Sequence, residues 1–191
     1  MNKKYYTGVG SRETPNNIIL LMQALAYRLS SDGWTLRSGA ATGADSAFEL
    51  GWFDWWATQT PWPSEAHAEI YLPWDGYNNH TRDGCFGANI LPDLDDIDLY
   101  KKALEIAESI HPNWKACKQG ARKMHARNVF QVLGRDLVTP SKMLVAWTPV
   151  TRGGKPTGGT ATAINLAIQY DVPTYNLNIQ SDLDKVLCYL R

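Results

Sequence analysis

At 191 residues the chain fits one domain with room for a proper core, and its 44% hydrophobic and 20% charged residues are ordinary for a soluble globular protein. Nineteen Lys and Arg balance nineteen Asp and Glu, which argues against a strongly basic, charge-driven nucleic-acid binder and leaves a local basic patch open. Three scattered cysteines, Cys85, Cys117 and Cys188, include no C-x-x-C pair and so point to a reducing compartment without a disulfide framework or structural zinc site.

No apolar run approaches a membrane span and residues 1–6 lack the core of a signal peptide, so a cytoplasmic location with no membrane partner is expected. Residues 5–9 read as a first strand ending in glycines. Thr14 and Pro15 then open a helix, Thr14 as its cap and Pro15 at its first position. Ile18, Leu21, Met22, Leu25, Ala26 and Leu29 follow at helical spacing until Gly33 stops the run. Residues 34–37 make a second strand. The next helix covers 42–56 with Ala44, Ala47, Phe48, Trp52 and Trp55 inward, and 68–73 is a third strand closed by Pro73.

Residues 74–97, rich in Gly, Asn, Asp and Pro, read as a long irregular insertion, a kind of segment that is often functional. Asp93, Asp95, Asp96 and Asp98 precede a periodic apolar run and read as helix caps rather than a metal site. That helix ends near Ile110 at His111-Pro112-Asn113, and one longer helix covers 113–133. Residues 142–147 form the clearest buried strand. A polar loop (148–157), a helix (159–170), a short strand (174–177) and a last helix from about Ser181 complete the chain. This alternation predicts a single α/β domain over 1–191, doubly wound and mainly parallel, with helices on both faces.

Three short stretches carry the functional information: Gly8-Val9-Gly10-Ser11-Arg12, Ser38-Gly39-Ala40-Ala41-Thr42-Gly43-Ala44-Asp45 and Thr157-Gly158-Gly159-Thr160-Ala161-Thr162. Each lies between a strand and a helix, where unpaired N–H groups and the helix dipole favour an anion. In a doubly wound sheet such loops converge where the strand order reverses. Gly8 and Gly10 let a ligand approach the backbone, and Ser11 and Arg12 offer a hydroxyl and a planar fork suited to phosphate. Ser38, Gly39, Thr42 and Gly43 make a second helix start. Asp45 is open between accepting from a ribose or base and capping loop amides. Glu49, one turn on, makes either a carboxylate pair with Asp45 for acid–base work or a solvated face. Gly158, Gly159 and Thr160 match neither a Walker loop nor a dinucleotide fingerprint, so a different nucleotide site is expected.

From 113 to 133 there are no acids, and Lys115, Lys118 and Arg122 recur at three and four, as a stripe on one helix face would. That stripe is either a solvated face or a track for a nucleic-acid backbone. Arg127, Asn128 and Gln131 can point toward the cleft, and the lone His125 reads as a packing residue. The crowded Trp52, Trp55, Trp56, Trp62 and Trp74 suit core packing first, then a homodimer patch, then base stacking. Trp147 ends the best strand, at the expected cleft mouth, where its ring could lie against a purine.

Together these stretches resemble the SLOG superfamily of Rossmann-like proteins, and within it the DNA-processing protein A (DprA/Smf) branch. Residues 8–12 are similar to its G-S-R turn, 37–45 to its S-G-x-A-x-G-x-D stretch, Arg127-Asn128 to its R-N-R segment (Val129 stands for the second arginine) and 157–163 to its S-G-x-x-x-T-A helix start. The resemblance covers most of the chain. It implies a Rossmann-like core that dimerises, single-stranded DNA binding with recombinase loading, and a phage or prophage setting in a host cytoplasm. A second branch, the Lonely-Guy-type phosphoribohydrolases, supplies a glutamate where this chain has Ala163, which leans away from an enzyme; no required cofactor and no metal site are expected. Other members bind nucleotide-derived signals. The leading expectation is a non-enzymatic, homodimeric protein that binds a nucleotide or its derivative. A DNA mediator using Lys115, Lys118 and Arg122, or an N-glycosidase using Asp45 or Glu49, are the alternatives.

Overall fold

A computed structural model describes residues 3–63, 66–82, 84 and 87–191, so Cys85 lies outside the described residues. Six strands, β1 (Lys4–Gly10), β2 (Trp34–Ser38), β3 (Ala68–Tyr71), β4 (Asn89–Ile90), β5 (Met143–Trp147) and β6 (Thr174–Asn176), form one sheet. All pairings are parallel, in the order β4-β3-β2-β1-β5-β6. The chain therefore winds outward from β1 to β4, crosses back to lay β5 beside β1, and ends at β6. The strand order reverses between β1 and β5, as a Rossmann-like doubly wound sheet requires.

The helices are α1 (Asn16–Ser31), α2 (Ala44–Ala57), α3 (Pro92–Asp95), α4 (Ile97–Ile110), α5 (Gln119–Leu133), α6 (Thr160–Gln169) and α7 (Gln180–Leu190). The period of two along the strands divides the core. Tyr6, Leu36 and Val145 pack with Met22, Leu29, Phe48 and Trp52 of α1 and α2 on one face. Val9, Leu144 and Ala146 pack with Val129, Phe130, Ala163 and Ile164 of α5 and α6 on the other. Among the described residues, no helix is long and apolar enough to cross a membrane.

Three local readings change. Thr14 does not cap α1: it precedes a proline, which disfavours helical backbone there, and its hydroxyl donates to the Ser11 carbonyl at 2.7 Å. Pro15 is the extended cap residue, and its carbonyl accepts from Ile18 and Ile19. The helix expected over 113–133 is two pieces. A single 3-10 turn, Trp114–Ala116, sinks the Trp114 indole into the core, and extended backbone at Cys117 (ψ 122°) and Lys118 (ψ 161°) re-aims the chain into α5. Within 74–97 the chain forms a 3-10 turn at Tyr77–Asn79, edge strand β4 and α3. A two-residue strand is too short to show a period in sequence. Asp96 does cap α4, its carboxylate accepting from the Asp98 and Leu99 N–H groups.

Gly8 shows how tightly the two layers meet. A Cβ there would lie 2.5 Å from Cγ of Phe48, so the ring occupies the space a side chain would need. Gly8→Ala should destabilise by about 1–3 kcal/mol through overpacking. In a Phe48→Leu background, which removes the obstructing ring, that penalty should shrink. A double-mutant cycle by urea unfolding measures the coupling, and additive penalties would contradict this packing.

Candidate functional site

A cleft of about 520 Å³ opens where the strand order reverses, above the C-terminal ends of β1 and β5. From the end of β1 and the loop after it the cleft is lined by Gly10, Ser11, Arg12 and Glu13, from the loop after β2 and the start of α2 by Ala41 and Asp45, and from the loop after β5 and the start of α6 by Thr148, Pro149, Thr157, Gly158, Gly159 and Thr160. Helix α5 supplies the wall with Met124, His125, Arg127, Asn128 and Gln131. Three turns distant in sequence thus border one space.

Asp45 ties these parts together. It is 2% exposed at the first residues of α2, yet its Oδ1 accepts the Gly10 N–H at 3.1 Å. Its Oδ2 lies 3.5 Å from Nε2 of Gln131 and 3.9 Å from the Arg127 guanidinium. Burial raises its pKa above the ordinary value, opposed by Arg127 and by bonds from the Ala41 and Gly10 backbone and Gln131. Arg127 also donates to the Gly39 carbonyl at 2.7 Å and to Oδ1 of Asn128 at 3.0 Å. Asn128 in turn donates to the Gly159 carbonyl at 3.1 Å, which joins α5 to the third loop. Of the two alternatives for Asp45, the observed contacts are those of an amide-holding carboxylate. Arg127 Nε and Gln131 Oε1 are buried with no hydrogen-bond partner among the described residues.

The first two loops are largely engaged with each other and with neighbouring chain. The Ser11 N–H donates to the Trp147 carbonyl, and the Ser11 carbonyl accepts from Thr14 and Ala44. Gly10, Gly39 and Gly43 are glycine because their neighbours leave no room: a Cβ would come within 2.5 Å of the Ala44 Cβ, 2.3 Å of Gln131 Nε2 and 2.6 Å of the Ser11 carbonyl oxygen, respectively. Gly43 also has φ 86°. Gly8, Ser38, Gly39, Thr42 and Gly43 do not line the cleft. Ser38 bonds the Gly8 carbonyl at 2.7 Å and supports β1 instead. Trp147 does not reach the cleft either, because the strand period sends its ring to the α1–α2 side with Met143 and Val145.

The third loop differs. Gly158 needs its glycine for φ 70°, but Gly159 sits at φ −63° with nothing within 4 Å of a Cβ position. Neither packing nor backbone conformation requires glycine there. Its bare backbone faces the cleft at the start of α6. The loop itself is a narrow hairpin. Val150 bridges Pro156, the Thr151 N–H donates to the Lys155 carbonyl at 2.9 Å, and Thr157 donates twice to the Pro149 carbonyl. At its base Thr148 and Asn176 exchange two hydrogen bonds of 3.1 and 3.0 Å.

The proposed basic stripe is not on one helix face. Lys115 belongs to the 3-10 turn, Lys118 precedes α5, and Arg122 is folded over the Trp114 ring at 5.3 Å with its Nε bonded to the Cys117 carbonyl. Trp52 and Trp56 are core residues, Trp55 is half-buried, and Trp62 and Trp74 are exposed. Glu49 does not pair with Asp45 but meets His80, Oε1 to Nε2, at 2.6 Å. His125 is not a lone packing ring: its Nδ1 lies 3.0 Å from the Thr162 hydroxyl, and His111 and Cys117 stand beside it. Burial, with help from His111 and Arg127, pushes its pKa down to about 4. The signal for this cluster was a His-x5-Cys-x7-His spacing that straddles the break before α5.

No family model and no curated protein matches the chain. Among solved structures, it is similar to one of DNA processing protein A from Helicobacter pylori, described for its single-stranded DNA binding mode. The TM-score is 0.39 at 14% identity, covering 98% of this chain and 80% of that one.

Removing the carboxylate tests the knot. Asp45→Ala should destabilise by about 1–3 kcal/mol, since it strands the Gly10 N–H and Gln131. Because the carboxyl pKa is raised in the fold, its titration contributes stability that is complete below the ordinary carboxylate pKa and lost as pH rises through the elevated one. Wild type should therefore gain on Asp45→Asn as pH falls from neutral, measured by urea unfolding at several pH values. A constant difference would contradict the burial of a charged Asp45.

Proposed function

We propose that this chain binds a phosphate-bearing nucleotide derivative in the cleft between β1 and β5, without transforming it. The observation that carries the reading is Gly159, a glycine that packing and backbone geometry do not demand, at the start of α6 and open to the cleft. A phosphate oxygen against the Gly159 and Thr160 N–H groups would meet the donors left open at the start of α6, those of Ala161 and Thr162 being bonded to the Gly158 and Gly159 carbonyls, and the positive end of the helix dipole. Arg12 is exposed at the cleft rim, where among the described residues its side chain makes only a 3.4 Å contact to the Tyr77 hydroxyl, and it can turn onto the same phosphate. The cleft volume suits a small ligand. Glu13 and Asp45 on the walls disfavour a ligand that is anionic throughout and favour one with hydroxyl or amine donors beyond its phosphate. The Lys115, Lys118 and Arg122 arrangement gives single-stranded DNA no continuous track, so the DNA reading is the weaker one.

Mass spectrometry of small molecules released on denaturation identifies candidates, and calorimetry against nucleoside mono- and diphosphates and ADP-ribose ranks them. Gly159→Ala should leave unfolding stability within about 0.5 kcal/mol yet weaken binding at least about tenfold. Arg12→Ala should weaken it by about 10- to 100-fold, the measure of one charge-assisted contact. Binding should fall only mildly with salt, whereas oligonucleotide binding along a backbone would fall steeply. Unchanged affinity in both variants would end the proposal, and release of free base from a nucleoside monophosphate would show an enzyme instead.

A further inference from the structure

Beside the cleft, three side chains from three separate pieces of chain gather their donor atoms. His111 follows the end of α4, Cys117 lies in the extended link, and His125 is in the second turn of α5. One ligand atom from each lies within 4.8 Å of the other two. The two imidazole centroids are 4.4 Å apart, and the Cys117 sulfur is 3.7 Å from Nδ1 and 3.8 Å from Nε2 of His111. Tetrahedral zinc with nitrogen and thiolate ligands places its donor atoms about 3.3–3.7 Å apart, given bonds of about 2.0 and 2.3 Å. Closing this triangle onto an ion shortens separations of at most 4.8 Å to that range, by up to about 1.5 Å, through side-chain rotation.

A second feature fits a ligand role for His125. Its Nδ1 faces the Thr162 hydroxyl at 3.0 Å, a group able to accept from Nδ1–H and so leave Nε2 for a metal. We infer that His111, Cys117 and His125 bind a zinc ion through two imidazoles and one thiolate, with the fourth position left to water or to a ligand from the cleft that His125 lines. The thiol loses its proton to solvent when the sulfur–metal bond forms. Coordination through Nδ1 of His111 would replace the 3.2 Å hydrogen bond that this nitrogen accepts from the Asn113 N–H. Of the nearby cations, Lys123 is held on Asp93 at 3.0 Å, Arg127 donates to the Gly39 carbonyl at 2.7 Å, and Arg122 lies over Trp114 with its Nε bonded to the Cys117 carbonyl. Sulfur and nitrogen donors select zinc over calcium or magnesium, which take oxygen ligands. The site is independent of the nucleotide reading, since two of its three ligands do not line the cleft.

The test uses the full chain, stripped with a chelator and titrated with Co²⁺ as a spectroscopic probe. The expected result is saturation at one equivalent, with the intense visible bands of four-coordinate cobalt, a thiolate-to-cobalt charge-transfer band, and displacement of both by Zn²⁺. Cys117→Ser should abolish the charge-transfer band, and His125→Gln should weaken binding by more than the roughly 10- to 100-fold that loss of a supporting partner costs. Cys188→Ser, at an exposed position of α7, should change neither. Far-ultraviolet circular dichroism checks that each variant is folded. The weak spectrum of the hexa-aquo ion, or a charge-transfer band that survives in folded Cys117→Ser, would overturn the proposal whether or not any nucleotide binds.

Discussion

One buried carboxylate holds the upper end of this sheet in shape. Asp45 is at the start of α2, but it accepts a backbone N–H from the end of β1 and faces Gln131 and Arg127 from α5 on the other side of the sheet. A charged group at 2% exposure is tolerated only with such partners. Its position makes the elements on both faces mutually dependent: the turn after β1 is fixed by α2, and α5 is fixed through Arg127 to the turn after β2. Asn128, next in sequence to Arg127, extends the same network to the loop after β5. The cleft is the space left between pieces that this network locks.

The glycines divide into two kinds under that constraint. Gly8, Gly10, Gly39 and Gly43 are each filled up to the Cα by a neighbour, whether the Phe48 ring, the Ala44 methyl, the Arg127 and Gln131 side chains, or the Ser11 and Arg12 backbone. They exist so that strands and turns can close on one another. Gly159 meets nothing. A sequence shows both kinds as the same letter in the same strand-turn-helix setting. Only the distance to the nearest atom, taken with φ, separates a glycine that the fold requires from one that it does not.

That distinction explains how much was legible beforehand. The alternation of apolar strands and periodic helices announced a parallel doubly wound sheet, because burial on both faces leaves a strong pattern in residues such as those of β5 and α1. The meeting of three distant loops followed from that topology. What the pattern could not reach was side-chain direction at the strand ends. Trp147 turns to the far face by one step of the strand period, and Ser38 supports Gly8 rather than the cleft. The break at Cys117 and Lys118 was equally hidden, since the residues on either side suit a helix and it is burial of Trp114 that bends the chain. That one bend dispersed the basic stripe and brought His111, Cys117 and His125 together.

The hairpin between β5 and α6 has a consequence of its own. Its stem is fastened by Thr157 to Pro149 and by the paired exchange between Thr148 and Asn176, while residues 151–155 close mainly upon themselves. Such a fingertip can lengthen, shorten or change its chemistry without the sheet registering the difference. Descendants of this chain could therefore vary those five residues freely, with folding insulated from the change.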